Sequence, residues 1–358
     1  MSKKFLRSGY TTGACAAAGV KAALILDTTG AAVNEVEITA LDGTPLKISV
    51  ARVEKISDGV RAEVVKFSGD DPDITNGASV FTTVRRVVGD EIIFRAGVGV
   101  GHVTKPGLQL PVGEPAINPA PRQLIRNVAA EFNLGGLEVE ISIPAGVELA
   151  KRTLNPILGV EGGLSIIGTT GVLRPMSEEA FKNSLVPQID VARAVGFDEL
   201  IFVPGKIGET IAKQLGFPDG AIIQTSNFIG FMLEAAAERG VAKIILCGHL
   251  GKLAKVAAGI FHTHNRIADA RLETLAAYSA AEGLPATEVQ KILDANTTED
   301  AAQIIAANHV EHVYQKIAAR ASLRAERYVY GKLKVNTILV DYAGNILGTD
   351  ANWDSVKT

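Results

Sequence analysis

The sequence predicts two domains of different class: an α+β domain over residues 1–176, and an α/β doubly wound, Rossmann-like domain with extra helices over residues 177–350. Three observations support this prediction. The chain has 358 residues, more than one hydrophobic core usually serves. Its first half contains short β-rich runs separated by hairpin turns. Its second half alternates helical and strand-like apolar runs.

The first domain is expected to open with a helix over residues 12–26, because Thr11 and Thr12 are good helix caps. Basic residues before this apolar run resemble a secretion signal, but Lys21 interrupts the run, so an internal helix is favoured. Asp-Gly and Asn-Gly turns then separate strands of a mostly antiparallel sheet. Those strands are expected over residues 35–39, 46–50, 61–67, 79–86 and 91–94, followed by a helix over 121–132 and a strand over 137–143.

The second domain is expected to have a parallel sheet covered by helices on both faces, because its strands are short apolar runs without alternation. Ligands of such sheets bind beyond the carboxyl ends of the strands, so the loops that follow the strands predict the pocket. The expected strands are 200–203, 221–224, 243–246 and 334–340. The expected helices are 186–195, 207–215, 228–239 and 251–261, with further helices over 267–330.

Composition excludes several classes of protein. Hydrophobic residues make up 47% and charged residues 21%, which is typical of a folded globular chain. The net charge is −3 and the cations are scattered, so a nucleic-acid partner is not expected. No apolar run reaches the roughly 18 residues of a membrane helix, and two cysteines indicate a reducing compartment. We therefore expect a soluble, cytoplasmic protein without a membrane partner; whether it forms a homo-oligomer is left open.

Glycines and small hydroxyl residues run through the otherwise apolar stretch between residues 155 and 176. Such a density predicts a backbone that turns sharply or lies close to a ligand. The loops at residues 10–16 and 247–252 have the same composition at helix starts. The latter, with Lys252, is interpreted either as an anion-binding helix start or as a tight turn. The glycine loop at 97–101 is not expected to bind a nucleotide, because no helix follows it.

Histidines and aspartates are the remaining candidates for chemistry. His249, His262 and His264 do not complete a tetrahedral ligand set, so hydrogen bonding to a carboxylate-rich ligand is favoured over metal binding. Three carboxylates crowd the turn at residues 69–75. This turn is compatible with metal binding, with proton uptake or with a plain solvated turn.

Five segments carry a resemblance to a known family: residues 6–16, 69–73, 99–108, 155–177 and 248–253. In the same order, these segments resemble the cobalt-precorrin-5B (C1)-methyltransferase family, and the resemblance extends beyond Arg271. It implies transfer of a methyl group from S-adenosylmethionine to C-1 of cobalt-precorrin-5B, which gives cobalt-precorrin-6A in anaerobic, early-cobalt cobalamin biosynthesis. The cobalt is then part of the tetrapyrrole substrate, and no protein metal site is expected.

The resemblance and the loop chemistry together suggest three groups of site residues. Methyl transfer from a sulfonium needs alignment rather than a nucleophilic side chain, so the only catalytic candidates are Asp70 and Asp71, as proton acceptors. The carboxylate arms of the substrate are expected to meet Thr11, Thr12, Gly13, Lys105, Ser165, Gly168, Thr169, Thr170, Gly171, Arg174, Lys252, His262 and His264. S-adenosylmethionine is expected at Pro204, Gly205, Gly208, Thr225, Ser226, Asn227, Gly248, His249 and Gly251.

Two other functions compete with methyl transfer. A nicotinamide-dependent corrin-precursor reductase would use the same kind of α/β domain, but the turn at residues 203–208 lacks the first glycine of a dinucleotide-binding motif. A non-catalytic tetrapyrrole carrier would bind the macrocycle without altering it. An assay for methyl transfer separates the three.

Overall fold

The structure, a computed structural model, describes residues 6–350 and divides the chain into two compact units, Met1–Glu178 and Glu179–Thr358. Both units contain helices and a five-stranded sheet. The predicted mixture of helices and sheets is therefore confirmed. Among the helices of residues 6–350, none combines the length and the apolar character needed to cross a membrane.

The sheet of the first unit has the order β4-β5-β6-β10-β7, with antiparallel neighbours except for the parallel pair β10 and β7. β2 and β3 form a separate antiparallel hairpin. In chain order this unit contains β1 (Gly9–Tyr10), α1 (Thr12–Thr29), β2 (Glu35–Thr39), β3 (Pro45–Ser49), β4 (Arg52–Ile56), β5 (Gly59–Val65), β6 (Ser79–Arg86), β7 (Ile92–Ala96), β8 (Gly99–Val100), β9 (His102–Val103), α2 (Pro119–Ala130), β10 (Leu137–Ser142), α3 (Gly146–Ala150), α4 (Asn155–Leu158), β11 (Val160–Glu161), β12 (Gly163–Leu164) and β13 (Val172–Leu173).

Helix α1 is the centre of the first unit, packed against β5, β6 and α2. It is buried on nearly all sides, which suits its composition of alanine and other small or apolar residues. At Gly19 an added Cβ would lie 2.7 Å from Thr82 Oγ1, so the small residue permits close contact with the sheet. The helix extends three residues beyond its predicted end at residue 26. It terminates at Gly30, which adopts the left-handed conformation.

Three two-residue ladders hold the glycine-rich segment within the first unit: β1 with β13, β8 with β12, and β9 with β11. They depend on close backbone packing. A Cβ at Gly99 would overlap the Ile143 carbonyl, and one at Gly163 would overlap the backbone of Gly99. The glycines at 97–101 are therefore explained by packing.

The sheet of the second unit has the order β15-β14-β16-β17-β18, with parallel neighbours except for the antiparallel edge strand β18. Apolar residues of β14 to β17 form its core. The elements that follow β13 are α5 (Glu178–Leu185), α6 (Pro187–Val195), β14 (Glu199–Val203), α7 (Lys206–Gln214), a 3₁₀ turn (Asp219–Ala221), β15 (Ile222–Gln224), α8 (Ile229–Glu238), β16 (Lys243–His249), α9 (Leu250–Ala257), α10 (Arg271–Ala281), α11 (Ala286–Leu293), α12 (Thr298–Ala307), α13 (Val313–Tyr328), β17 (Lys334–Val340) and β18 (Ile346–Thr349).

Several elements differ from the sequence predictions. Strands β4 and β18 and helix α5 were not predicted, because their apolar residues are too few or too irregular to show a period. Helix α9 ends at Ala257 rather than at residue 261. Gly259, with φ of 90°, lies just beyond it and takes a conformation that most residues avoid.

Candidate functional site

The glycine-rich segment wraps around the start of helix α1. The Ile167 amide donates to Thr12 Oγ1 at 3.0 Å, and the Gly13 amide donates to the Ile167 carbonyl at 3.1 Å. The Thr11 amide donates to the Gly171 carbonyl at 3.0 Å, while the Thr11 side chain caps the helix. The structure thus brings together two of the loops that the sequence analysis assigned to one site.

The loop over Gly168, Thr169 and Thr170 has unused hydrogen-bonding groups. Gly168 has φ of 133°, and a Cβ there would overlap Thr11 Oγ1. The Thr170 hydroxyl accepts the Val172 amide at 3.2 Å. Within residues 6–350, the amides of Gly168, Thr169 and Thr170 donate to no protein acceptor, and the Thr169 side chain is unbonded as well. Successive amides of this kind can receive a carboxylate.

The acidic turn joins the same region. The Asp71 carboxylate accepts the Met176 amide at 2.9 Å, which links the turn to the end of the glycine-rich segment. Asp70 pairs with Arg7 at 3.0 Å, and Asp73 pairs with Lys66 at 2.6 Å. The three carboxylates therefore face different partners. Across residues 6–350 no group of three or more His, Cys, Asp or Glu side chains is placed to hold a metal ion.

The Lys66–Asp73 pair fixes the base of this turn. The Lys66 side chain is only 1% exposed, and its ammonium also donates to the buried Ser68 hydroxyl at 2.7 Å. Burial alone would raise the pKa of Asp73, but hydrogen bonds from Lys66 and Thr75 outweigh it and hold the pKa below its ordinary value. Asp73 is thus charged and structural at neutral pH, whereas Asp70 pairs with the exposed Arg7 and Asp71 accepts a backbone amide.

Three other residues predicted for the substrate, all in the first unit, contact different parts of it. Lys105 contacts helix α4, where its ammonium donates to the Ile157 carbonyl at 3.3 Å, rather than the start of α1. Ser165 donates to Asn155 at 3.3 Å. Arg174 is 77% exposed and its guanidinium lies 3.8 Å from Asp42, so it remains accessible to an anion.

In the second unit, the loops that follow β14 and β16 meet at the carboxyl edge of the sheet. The Lys252 ammonium donates to the Pro204 carbonyl at 2.5 Å. A Cβ at Gly248 would lie 2.9 Å from Pro204 Cγ, and one at Gly205 would lie 4.0 Å from Lys252 Nζ. Burial, with a smaller contribution from Lys255, lowers the pKa of Lys252. Lys252, predicted for the macrocycle, therefore lies among the residues predicted for the methyl donor.

The two helix starts at this edge differ in their capping. At α9 the Gly251 amide donates to His249 Nδ1 at 3.1 Å, so this helix is capped by its own residue. The structure thus favours the tight turn over the anion-binding alternative at α9. Helix α7 begins after Gly205, which offers no side-chain cap, and Lys252 lies beside it. An anion is better placed at α7.

Other residues predicted for the pocket have mainly structural contacts. Thr225 is fully buried and its hydroxyl has no partner among residues 6–350. Its loop is pinned by a hydrogen bond of 2.9 Å from the Thr263 amide to the Asn227 carbonyl. The neighbouring His262 ring packs 5.0 Å from Phe228. Gly208 approaches the Cys247 carbonyl closely, and Ser226 has a left-handed backbone conformation. His264 is exposed, and its ring accepts a hydrogen bond from the Arg266 amide.

Comparisons with known proteins cover both units. Residues 1–175 match the family model CbiD, and residues 262–351 match the model of the CbiD C-terminal domain. The cobalt-precorrin-5B C(1)-methyltransferase of Moorella thermoacetica is 50% identical over 96% of this chain and 95% of its own. The enzyme of the same name from Methanocaldococcus jannaschii is 48% identical over 97% of both chains.

The chain belongs to the cobalt-precorrin-5B C(1)-methyltransferase family. A further member by name, from Desulfitobacterium hafniense, is 45% identical over 96% of this chain and 90% of its own. Among solved structures, the cobalamin biosynthesis protein cbiD from Archaeoglobus fulgidus is 27% identical and covers 74% of this chain and 84% of its own, with a TM-score of 0.40.

Two side chains at the carboxyl edge of the second sheet were not predicted from the sequence of this family member. Glu299, at the start of α12, lies 2.6 Å from His249 Nε2, and Tyr342, just after β17, stacks on the His249 ring. Tyr342 follows a parallel strand as the predicted loops do, so the strand-end rule applied to β17 would have found it. Glu299 comes from a helical region without a motif, and no pattern in the sequence marks it.

Proposed function

We propose that this protein transfers the methyl group of S-adenosylmethionine to C-1 of cobalt-precorrin-5B, forming cobalt-precorrin-6A and S-adenosylhomocysteine in cobalamin biosynthesis. The observation that carries the proposal is the high identity, over nearly the whole chain, to relatives that bear the name of this enzyme. Cobalt belongs to the substrate in this proposal, and the protein supplies binding and alignment.

The chemical step needs little from side chains. A bond forms between C-1 and the methyl carbon while the sulfur–carbon bond breaks, and its electron pair stays on sulfur as the sulfonium charge is lost. Holding donor and acceptor in line and excluding water are the main contributions of a protein to such a displacement. Asp70 and Asp71 are the proposed acceptors for a proton that the macrocycle releases. Their turn is held in place by the buried Lys66–Asp73 pair.

The first unit offers groups for the carboxylate arms of the macrocycle. The amides of Gly168, Thr169 and Thr170 are unbonded within the described residues, and Arg174 is mostly exposed nearby in the chain. Amides and a guanidinium are the donors that carboxylates prefer. We therefore assign the arms to this loop, and leave Lys105 and Ser165 as supporting residues because protein atoms already bind them.

The second unit offers a place for the methyl donor. Numbered along the unit, its strands lie in the order 2-1-3-4-5, which supports assigning the sheet to the doubly wound class. The strand order reverses between β14 and β16, and ligands of this class bind at that point. The start of α7 and the Lys252 ammonium lie there and suit the carboxylate of the donor's methionine part.

The proposal is tested by incubating the protein with cobalt-precorrin-5B and S-adenosylmethionine labelled in its methyl group. We expect label in the macrocycle and an equal amount of S-adenosylhomocysteine. Lys252→Met should raise the KM for the donor, whereas Lys291→Met, which removes an exposed ion pair with Glu288, should not. Tight macrocycle binding without transfer would show a carrier. Oxidation of NADH or NADPH in a parallel incubation with the macrocycle, in place of methyl transfer, would show a reductase.

A further inference from the structure

Tyr342 presents a supported aromatic face at the carboxyl edge of the second sheet. It lies two residues beyond the end of β17, and the residue is 64% exposed. One face of the ring stacks on His249, with 4.0 Å between ring centroids and 29° between planes. Much of the ring therefore remains open to solvent beside the loops assigned to the methyl donor.

Hydrogen bonds fix the orientation of the His249 ring that supports Tyr342. His249 Nδ1 accepts the Gly251 amide at 3.1 Å, so the proton of the neutral ring lies on Nε2 and is donated to Glu299 at 2.6 Å. The Glu299 carboxylate also accepts the hydroxyl of Thr298, a residue that is 2% exposed. Because both ring nitrogens are engaged, the His249 ring is a fixed support for Tyr342.

The position of Tyr342 fits one end of an elongated ligand. Strand β16 lies between β14 and β17 in the sheet. Neighbouring strands are about 4.8 Å apart, so the loops after β14 and β17 are separated by about 10 Å. The start of α7 and Lys252 at the first loop suit an anion, and the ring at the second suits a flat heteroaromatic group. A nucleoside with an amino-acid tail has these two ends.

We propose that Tyr342 stacks against the adenine of the methyl donor, with His249 and Glu299 as positioning residues behind it. The tail carboxylate then lies at the start of α7 beside Lys252, and the sulfur lies between, near Gly248 and His249. This inference rests on the proposed function, since it names the orientation of the donor at the same site.

The test compares two ligands that differ only in the base, S-adenosylhomocysteine and S-ribosylhomocysteine, by calorimetric or competitive binding to the full chain. Tyr342→Ala should lower the affinity for S-adenosylhomocysteine by roughly tenfold to a hundredfold, as expected for loss of a base–aromatic stack. Tyr342→Phe keeps the ring and should stay within about twofold of the unaltered protein. S-ribosylhomocysteine should bind all three proteins equally.

Methyl-transfer kinetics separate the failure of this inference from failure of the proposed function. For Tyr342→Ala we expect a raised KM for the donor and an unchanged kcat at saturating donor. Equal affinity of Tyr342→Ala and the unaltered protein for S-adenosylhomocysteine would overturn the inference while methyl transfer still stood. An equal loss of affinity for S-adenosylhomocysteine and S-ribosylhomocysteine in Tyr342→Ala would also overturn it, because the ring would then support the structure of the whole site and not bind the base. Absence of transfer by the unaltered protein would contradict the function instead.

Discussion

At the scale of single residues, the three carboxylates of the acidic turn have different partners, and Asp73 is the one held by a buried ion pair. Asp73 binds the buried Lys66 and Thr75, whereas Asp71 accepts only a backbone amide of the glycine-rich segment among the contacts seen. The turn could be predicted from the sequence, but the different partners of its three carboxylates could not. The partner of Asp73, Lys66, lies within the strand predicted over residues 61–67. No pattern in this strand indicates that Lys66 is buried, and its burial is seen only in the folded structure.

Replacing Lys66 should destabilise the first unit. Lys66→Met leaves Asp73 partly buried without its partner, so we expect the free energy of unfolding to fall by roughly 3 kcal/mol. Lys151→Met removes an exposed ion pair with Glu148 and should change the free energy of unfolding by less than about 0.5 kcal/mol. Urea denaturation measures both. Equal effects of the two substitutions would show that the buried pair contributes no more than a surface one.

The same pair predicts a dependence of stability on pH. The ordinary pKa of Asp73 is 3.8, and folding lowers it. Its contribution is therefore present above that pH and is lost as the pH falls through the lowered pKa of the folded state. The difference in stability between the unaltered protein and Lys66→Met should therefore narrow as the pH falls below 3.8, the ordinary pKa of Asp73. A difference that stays constant as the pH falls through this region would contradict the ion-pair interpretation.

At the scale of elements, the wrap of the glycine-rich segment around α1 is a long-range arrangement. Thr12 and Ile167 are 155 residues apart in the chain, and β1 pairs with β13 over a similar separation. Local patterns predict helices and long strands because a period repeats within them. A two-residue ladder has no period. The density of glycine therefore indicated that the backbone of this segment lies close to another group, but it did not indicate which strand pairs with it. The apolar parallel strands, by contrast, were predicted within a few residues.

Gly168 should tolerate no side chain. Its φ of 133° strains any other residue, and an added Cβ would overlap the cap Thr11. Gly162 has φ of 88° and no atom within 4 Å of an added Cβ, so Gly162→Ala measures the strain alone. We expect Gly162→Ala to cost about 1 kcal/mol of unfolding free energy and Gly168→Ala at least about 2 kcal/mol more. Similar costs would mean that Thr11 moves aside and that the close approach is dispensable.

At the scale of the whole molecule, the proposed reaction divides its two ligands between units with different architecture. The first unit offers backbone amides and hydroxyls around a buried helix, which suit a macrocycle with many carboxylates. The second offers the strand ends of a parallel sheet, which suit a nucleoside with an amino-acid tail. Each half of this assignment depends on residues of one unit only, so the two halves are tested separately.

Hydrogen exchange of the intact protein tests that assignment. S-adenosylhomocysteine should slow amide exchange in peptides that contain residues 205–208, 248–252 and 342, because a ligand held at strand ends orders the loops that contact it. The macrocycle should slow exchange in peptides that contain residues 168–174, because the amides of residues 168–170 have no protein acceptor within residues 6–350. It should also slow exchange in peptides that contain residues 11–13, which are hydrogen-bonded to this segment. If the nucleoside protected only the first unit, the donor site would have to be moved there, and Tyr342 would become an ordinary surface residue. If each ligand protects its own unit and the two together protect both, the division of the reaction between the units stands.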